Sequence, residues 1–385
     1  MSELNASNLR KEQGNEGPDL VGTTELTSPY YMVPPSGTTA ERPQNPQPGT
    51  LRFNTDIGSL EYYRGDTIGW ESINRRSANL GGAVGPTYAG STAGTGARTL
   101  FMGGYAPGDV NTVDYVTIPT LGNAQDFGNL SSARRGGAGC GSKVRALMCA
   151  GDGTGSDPSN RIDYHEFSSL GDFNDFGDMQ TGRENSSACS DGMRGIIWGG
   201  GNPSRLDTID YVTIASPGNG VDFGNMTSAR GSGGSFSSST RGLYVSGQGP
   251  ASPWNINTID YITIATTGNA SDFGDSTTST YNRGGSNCIR GITFGYGGTN
   301  VMEYLTIATL GNTTDFGDLT INRATPMNGN PTSPTRLLAA GGTSPSPVNS
   351  IDYVEIMTTG NAADFGDLSQ ARQYGGAISN AHGGL

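Results

Sequence analysis

The chain has 385 residues, of which 62 are glycine, and carries a formal net charge of -12 with a pI near 4.6. This acidity disfavours binding to a phosphate backbone, and the lack of a strict Gly-X-Y period excludes collagen. Lysine occurs only twice, while Thr, Ser, Asn and Gly fill the stretches between short apolar runs, so the composition predicts an all-β protein.

Residues 1–50 are rich in Pro, Asn and Gly, and we expect an extended N-terminal arm that gains order on binding. Residues 51–78 follow as a small β-hairpin module, because LRFNTDIGSLEYY has the pattern of two half-buried strands around an Asp-Ile-Gly turn. A linker is predicted at 79–97. Since no apolar signal-peptide region or bilayer-length apolar stretch is visible, we expect cytoplasmic synthesis, no signal peptide and no membrane insertion.

From residue 98 onward the chain repeats. An acidic residue followed by tyrosine occurs six times, and an Asp-Phe-Gly triplet begins 11 residues after each tyrosine. We call the acidic residue of each pair the pair acid: Asp114, Asp163, Asp210, Asp260, Glu303 and Asp352. The arginine after each triplet is the linker arginine: Arg134, Arg183, Arg230, Arg283, Arg323 and Arg372. The arginine that opens each apolar run is the strand arginine: Arg98, Arg145, Arg194, Arg241, Arg290 and Arg336.

Each unit of about 43 to 50 residues contains four short segments of strand character separated by turns, a pattern typical of a propeller blade. The order of an Arg-led first strand, an apolar second strand ending in Gly-Gly, a third strand with Tyr and a fourth with an aromatic residue resembles kelch repeats. Here Phe replaces the kelch Trp. The resemblance implies a six-bladed kelch-like β-propeller over residues 98–385.

A second resemblance concerns origin. The phrase IDYVTIASPGNGVDFGNMTSAR resembles repeats in structural proteins of tailed phages, notably those that infect cyanobacteria. Residues 36–70 are similar to a short module that is common in phage tail fibres. The resemblance implies a virion location, with the arm binding other virion proteins.

The repeats contain six copies each of the second, third and fourth strands but only five first strands, which follow the first five linker arginines. One first strand is therefore missing. The segment QYGGAISNA after Arg372 matches a first strand but has no second strand behind it. We therefore predict that residues 373–381 pair with residues 98–104 and close the first blade. NLGGAVG, residues 79–85, is the competing candidate.

Within the repeat, the triplet Asp is expected to accept backbone N-H bonds or to meet a repeated arginine, while the Phe fills the space between blades. A kinase-type magnesium loop is not indicated, because the triplet occurs six times without a nucleotide loop. Cys140, Cys149, Cys189 and Cys288 lack metal-ligand spacing and are expected to be reduced and buried.

Function on repeat scaffolds usually lies in segments that the repeats do not share. The connections between second and third strands vary most, and Tyr105, Arg205 and Trp254 are the candidate ligand contacts within them. We identify no catalytic, cofactor-binding or metal-binding residues and predict that the protein is not an enzyme.

Two hypotheses follow. The first is a fibre-like or tail-associated phage protein that displays a propeller for recognition of a host-surface glycan or protein. The second is a purely architectural virion subunit of neck, baseplate or capsid that binds only other virion proteins. Nucleic acid is not an expected partner, and the sequence leaves open whether the chain forms a homo-oligomer in the particle.

Overall fold

The structure is a computed structural model that describes residues 34–385 apart from 57–58, 67–68, 73–96, 154–157, 253 and 280–281. The regular elements of these residues are β-strands, with short 3-10 turns at Thr39–Glu41 and Tyr296–Gly298. The all-β prediction is therefore confirmed. The chain divides into two compact units, Met1–Ser77 and Ala78–Leu385.

The first unit contains one four-stranded sheet in the order β1 (Ser36–Gly37), β2 (Leu51–Asn54), β3 (Ser59–Tyr63) and β4 (Trp70–Ser72). Strands β2 and β3 form the antiparallel hairpin that the sequence predicts. Strand β1 adds in parallel to β2, so the module begins before the predicted boundary at residue 51. The N-H groups of Phe53 and Thr55 donate to the carbonyls of Pro35 and Gly37 at 2.7 and 2.9 Å. The buried carboxylate of Glu61 also binds this earlier segment to the hairpin, because it pairs with Arg42 at 2.5 Å as well as with Arg52 at 3.2 Å. Residues 1–33 of the predicted arm lie outside the described residues.

The second unit repeats one pattern, and we number repeats 1 to 6 by residues 98–129, 138–178, 187–225, 234–275, 283–318 and 328–367. Its strands are β5 (Arg98–Tyr105), β6 (Asp109–Thr117), β7 (Gln125–Asn129), β8 (Arg134–Arg135), β9 (Ala138–Gly141), β10 (Arg145–Cys149), β11 (Asp152–Gly153), β12 (Arg161–Glu166), β13 (Asn174–Asp178), β14 (Ser187–Ser190), β15 (Arg194–Trp198), β16 (Gly201–Asn202), β17 (Ser204–Arg205), β18 (Thr208–Thr213), β19 (Val221–Asn225), β20 (Gly234–Ser237), β21 (Arg241–Gln248), β22 (Asn255–Thr263), β23 (Ser271–Asp275), β24 (Arg283–Ser286), β25 (Arg290–Phe294), β26 (Val301–Thr306), β27 (Thr314–Asp318), β28 (Asn328–Asn330), β29 (Arg336–Ala340), β30 (Ser350–Glu355), β31 (Ala363–Asp367) and β32 (Gly376–Ser379).

Repeats 2 to 5 each form a four-stranded antiparallel sheet whose strands lie in chain order. In such a sheet the turn between first and second strands and the turn between third and fourth strands lie at one end. The connection between second and third strands lies at the other end. We call these the turn end and the connection end of a repeat.

The C-terminal strand completes the sheet of repeat 1. Strand β32 pairs antiparallel with β5, with Gly376 opposite Met102 and Ser379 opposite Thr99. The pairing predicted for residues 373–381 is therefore confirmed, whereas the competing residues 79–85 lie outside the described residues.

Repeat 6 departs from the predicted four antiparallel strands. Its first strand, β28, pairs in parallel with β32, and its own sheet contains only β29, β30 and β31 among the described strands. Pro331 follows β28 directly and has no N-H to donate, which prevents a regular ladder between β28 and β29.

Adjacent repeats are joined by backbone hydrogen bonds that recur around the array. In every repeat, a glycine lies in the turn before the fourth strand. Its N-H donates to the carbonyl of the triplet Phe in the preceding repeat, at 2.8–3.0 Å. The sixth copy runs from Gly122 of repeat 1 to Phe365 of repeat 6. Repeat 6 therefore contacts repeat 1 in the same way that each repeat contacts the next.

The triplet glycine is required at these junctions. Gly317 has a φ of 142°, and a Cβ on it would lie 2.4 Å from the carbonyl oxygen of Gly360. An L side chain would therefore be strained and would push the two repeats apart.

The strand arginines form a second set of junctions at the turn end. Each guanidinium lies over the Tyr of its own repeat at 4.3–4.9 Å and donates to a backbone carbonyl near the end of the next third strand. The sixth copy joins Arg336 of repeat 6 to Ile118 of repeat 1. Because every copy connects turn ends, all six turn ends share one face of the unit.

The apolar core lies between repeats. Each of its six clusters combines buried side chains of two adjacent repeats, and one of them joins repeat 6 to repeat 1 through Leu338, Phe365 and Phe101. The triplet Phe is buried in every repeat and meets the Tyr of its own repeat edge-on. The expectation that this ring packs between repeats is confirmed.

The pair acids, not the triplet Asp residues, bind the repeated arginines. Five linker arginines are buried against a pair acid at 2.6–3.0 Å, in the pairs Arg134–Asp163, Arg183–Asp210, Arg230–Asp260, Arg323–Asp352 and Arg372–Asp114. The triplet Asp is exposed in all six repeats, so its predicted arginine contact is wrong. Its place in the fourth strand directs it to solvent, while the Phe beside it points into the core.

Repeat 5 is the exception. Arg283 begins a first strand, whereas the other linker arginines precede their first strands by four or five residues. Arg283 donates to the carbonyl of Gly233, and the pair acid Glu303 instead accepts from the hydroxyls of Ser276 and Thr313 at 2.8 and 2.7 Å. The spacing in the sequence marks this departure, because Arg283 follows its triplet Asp by 11 residues whereas the other five linker arginines follow theirs by eight.

Three cysteines, Cys140, Cys149 and Cys189, are buried as free thiols in the core. Cys288 is exposed, which corrects its predicted burial. It lies in the turn between β24 and β25, where no neighbouring repeat covers it.

Candidate ligand site

A cavity of about 290 Å³ opens at the connection end of the second unit. Its walls come from repeats 1 and 3 and from the segments that follow four of the linker arginines. The lining residues are Tyr105, Arg135, Gly136, Glu184, Asn185, Arg205, Ser232, Gln373 and Tyr374.

Backbone hydrogen bonds position the segments that follow the linker arginines. The second residue after each arginine donates its N-H to the carbonyl of its counterpart in the neighbouring segment, from Tyr374 to Thr325, Gly136 to Tyr374, Asn185 to Gly136 and Ser232 to Asn185, at 2.7–3.1 Å. All five of these residues have a φ between 51° and 68°. Four of them are not glycine, so the site holds backbone strain of a kind that clusters at functional sites.

The two positions after the linker arginine differ between repeats while the arginine itself is constant. The first position is Arg135, Glu184, Gly231, Ala324 or Gln373, and the second is Gly136, Asn185, Ser232, Thr325 or Tyr374. Equivalent backbone therefore presents different side chains around the cavity. Such variation on a repeated scaffold is where binding specificity is usually placed.

Arg135 is held between an aromatic ring and two carboxylates. Its guanidinium lies 5.1 Å from the centre of the Tyr105 ring, 2.9 Å from Asp152 and 3.5 Å from Asp109. Burial raises the pKa of Asp109, although the charge of Arg135 opposes this. The positive charge of Arg135 is thus largely offset by acids behind the cavity wall.

Arg205 enters the cavity from the hairpin of β16 and β17, in the connection between the second and third strands of repeat 3. It donates to the side-chain oxygen of Gln248 at 3.0 Å. Among the described residues, neither Arg205 nor the Glu184 carboxylate forms an ion pair. Both charges are therefore available to a ligand.

Directly after the lining residue Asn185 in sequence, Ser186 and Ser187 meet a buried polar side chain of repeat 6. Asn328 donates from Nδ2 to the carbonyl of Ser186 at 2.7 Å and to Ser187 Oγ at 3.2 Å. The Oδ1 atom of Asn328 and the Oγ atom of Ser186 are buried without a hydrogen-bond partner. Such atoms are typical places for ordered water.

Two of the three predicted contact residues, Tyr105 and Arg205, line this cavity. Trp254 does not; its side chain is 59% exposed on the connection of repeat 4. Sequence reasoning missed Arg135, Glu184, Gln373 and Tyr374, although their variation between otherwise constant repeats was a visible signal. It assigned those positions to structural strands and placed ligand contacts only in the variable connections between second and third strands.

The cavity offers donors, acceptors and tyrosine rings. Within the part of the chain that the structure describes, no group of three or more His, Cys, Asp or Glu residues is arranged to hold a metal ion. No helix among the described residues is long and apolar enough to cross a bilayer.

A scan against models of known protein families gives no match, and a search of curated proteins finds no match either.

Proposed function

We propose that the protein is a structural component of a phage virion, fibre-like or tail-associated, in which a six-bladed propeller displays a surface for recognition of a host glycan or protein. The N-terminal arm binds other virion proteins. The observation that carries the recognition role is the cavity at the connection end, whose walls are built from positions that differ between the repeats.

The ring arrangement is supported by three independent sets of junctions. The backbone hydrogen bonds to the triplet Phe, the strand arginines and the apolar clusters each occur six times, and in each set one copy joins repeat 6 to repeat 1. Head-to-tail contacts of one kind generate a closed ring when the rotation between units closes. Pairing of β32 with β5 joins the last strand of the array to the first.

The virion location is supported by the resemblance of the repeat and of residues 36–70 to phage structural proteins. The arm role is supported by the composition of residues 1–50, which are rich in Pro, Asn and Gly and poorer in apolar residues than the chain as a whole, a composition that favours ordering on a partner.

The recognition role is tested with the labelled full chain on a panel of bacterial cells that includes cyanobacteria. Cell binding should occur for some strains and should be lost when Arg205→Gln and Tyr374→Asn are combined. Binding to none of the strains, or binding that survives the double substitution, would contradict the role of the cavity face.

A specific observation favours the architectural alternative. Seven large apolar side chains are 47–70% exposed in turns at the turn end: Leu121, Val144, Leu170, Met193, Ile289, Leu310 and Met357. Exposed apolar side chains on one face are typical of surfaces that pack against another protein. If the chain serves only as an architectural subunit, substitution of Leu170, Met193 and Leu310 by Ser should release it from purified particles, and no cell strain should bind it.

A further inference from the structure

We propose that the cavity at the connection end binds an uncharged sugar ring of a glycan rather than an acidic sugar. This inference rests on the proposed recognition role of that face. It adds the chemical class of the ligand and the side chains that select it.

Charge around the cavity disfavours an anionic ligand. Two guanidiniums, those of Arg135 and Arg205, face three carboxylates, because Asp109 and Asp152 lie against Arg135 and Glu184 lines the wall. The whole chain is also acidic, at -12. A carboxylate or sulfate would therefore enter a region of net negative charge, and desolvating it there would be costly.

A cationic ligand fits no better. Arg205 has no carboxylate partner among the described residues, and its guanidinium lines the same wall as the Glu184 carboxylate. An ammonium group near Glu184 would meet this uncompensated like charge. The charges of Arg205 and Glu184 thus offset each other. The site is suited to a neutral molecule that both donates and accepts hydrogen bonds.

Sugar hydroxyls satisfy this need, since each one both donates and accepts. Arg205 supplies donors, Glu184 supplies an acceptor, and the side-chain amide of Asn185 supplies both. Gln373 supplies its Nε2 donor, because its Oε1 already accepts from the hydroxyls of Thr325 and Thr343. The inter-segment hydrogen bonds fix the backbone of Asn185 and Tyr374 before a ligand binds, so no backbone entropy is lost there on binding.

Tyr374 supplies the apolar contact that a pyranose ring requires. Its φ of 58° is held by the bond from its N-H to the Thr325 carbonyl and by the bond from Gly136 N-H to its own carbonyl. Tyrosine offers a large rigid contact area on which the C-H face of a sugar can lie. The volume of about 290 Å³ lies at the small end of ligand pockets, which suits a terminal sugar rather than a long oligosaccharide.

The experiment uses saturation-transfer NMR and titration calorimetry on the full chain. The neutral probes are the methyl glycosides of glucose, galactose and mannose, and the charged probes are glucuronic acid, galacturonic acid, N-acetylneuraminic acid and glucosamine. At least one neutral probe should bind, and its affinity should change little between about 0.05 and 0.5 M NaCl because no ion pair with the ligand is screened.

Two substitutions and one matched control test the residues. Arg205→Gln and Tyr374→Asn should each weaken binding of the neutral probe by about tenfold or more, and Asn is chosen because it tolerates positive φ. Arg161→Gln removes an exposed guanidinium outside the cavity and should leave the affinity unchanged.

Three outcomes would overturn the inference: binding confined to the acidic probes with strong salt dependence, binding confined to glucosamine, or no binding of any probe. If no probe binds but the Arg205→Gln and Tyr374→Asn double variant still loses cell binding, the sugar inference fails and the recognition role stands. If the double variant binds cells like the unsubstituted chain, the cavity face is not the recognition surface, and if the unsubstituted chain binds no cells, the proposed recognition role itself fails.

Discussion

The guanidinium of Arg372 lies 3.0 Å from the carboxylate of Asp114, although the two residues are separated by almost the whole repeat array. Both side chains are fully buried, and Arg372 also donates to the carbonyls of Phe101 and Thr112 at 3.0 Å. One side chain thus binds the start of the array to its end.

Substitution Arg372→Met should lower the free energy of unfolding by about 3–5 kcal/mol, because it leaves the buried Asp114 carboxylate without its cation. Chemical denaturation of the full chain measures this. Glu355→Gln, which removes the exposed partner of Arg336, is the control and should change stability by less than about 0.5 kcal/mol. Equal effects of the two substitutions would contradict the importance of the junction.

Removal of residues 373–385 should lower the melting temperature markedly or cause aggregation, because it exposes the edge of β5 to solvent. Removal of residues 380–385 alone retains β32 and should have a smaller effect. Thermal unfolding and light scattering distinguish the two truncations. A melting temperature unchanged by the longer truncation would show that the pairing of β32 with β5 contributes nothing to stability.

The C-terminal segment should also make stability depend on pH. His382 is buried, its Nε2 lies 3.1 Å from the Gly141 carbonyl, and burial lowers its pKa from 6.5 to about 4. Between these values the unfolded chain binds more protons than the folded chain, so stability falls as the pH is lowered from about 6.5 to about 4.

In comparison with His382→Gln, the unsubstituted protein should lose about 3 kcal/mol more stability when the pH falls from 7 to 4. Denaturation curves recorded at several pH values give this difference. Parallel pH profiles of the two proteins would show that His382 is not neutral and buried in the folded state.

Gly317→Ala should destabilise the protein by more than Gly360→Ala. Both glycines have a φ near 150°, so the backbone strain is matched, but a Cβ on Gly317 meets the Gly360 carbonyl at 2.4 Å whereas a Cβ on Gly360 meets nothing within 4 Å. We expect an additional loss of about 1–3 kcal/mol from the clash. Similar unfolding energies for the two variants would argue against a tight junction between repeats 5 and 6.

Removal of residues 1–73 should leave a folded repeat array that no longer joins the particle. Circular dichroism reports the fold, and incorporation is measured by mass spectrometry of purified particles. Assembly of the truncated chain into particles would contradict the anchoring role of the arm.

Repeats made much of the fold predictable. The fixed spacing of Tyr and Asp-Phe-Gly located the third and fourth strands, and the leftover segment after Arg372 predicted the pairing of β32 with β5. Departures from the repeat were not predictable in this way. Pro331 disrupts the first strand of repeat 6, and the role of arginine in repeat 5 is taken by hydroxyl groups around Glu303.

The candidate site was predicted in part. Tyr105 and Arg205 were recognised because aromatic and guanidinium side chains stand out in polar connections. Glu184 and Tyr374 were not recognised. They line one cavity only because the segments that follow Arg183 and Arg372 lie close together in the fold, although these segments are far apart in sequence. Trp254 shows the converse, since an exposed aromatic residue in a long connection does not by itself reach the cavity.

The order of strands in repeat 1 has a consequence for synthesis of the protein. Strand β5 emerges from the ribosome long before β32, yet it pairs with β32 in the finished fold. Until then its edge stays open to any strand of suitable pattern, including β32 of a completed neighbouring chain. We therefore expect slow translation of residues 98–372 to lengthen the interval in which strand exchange between chains can take place.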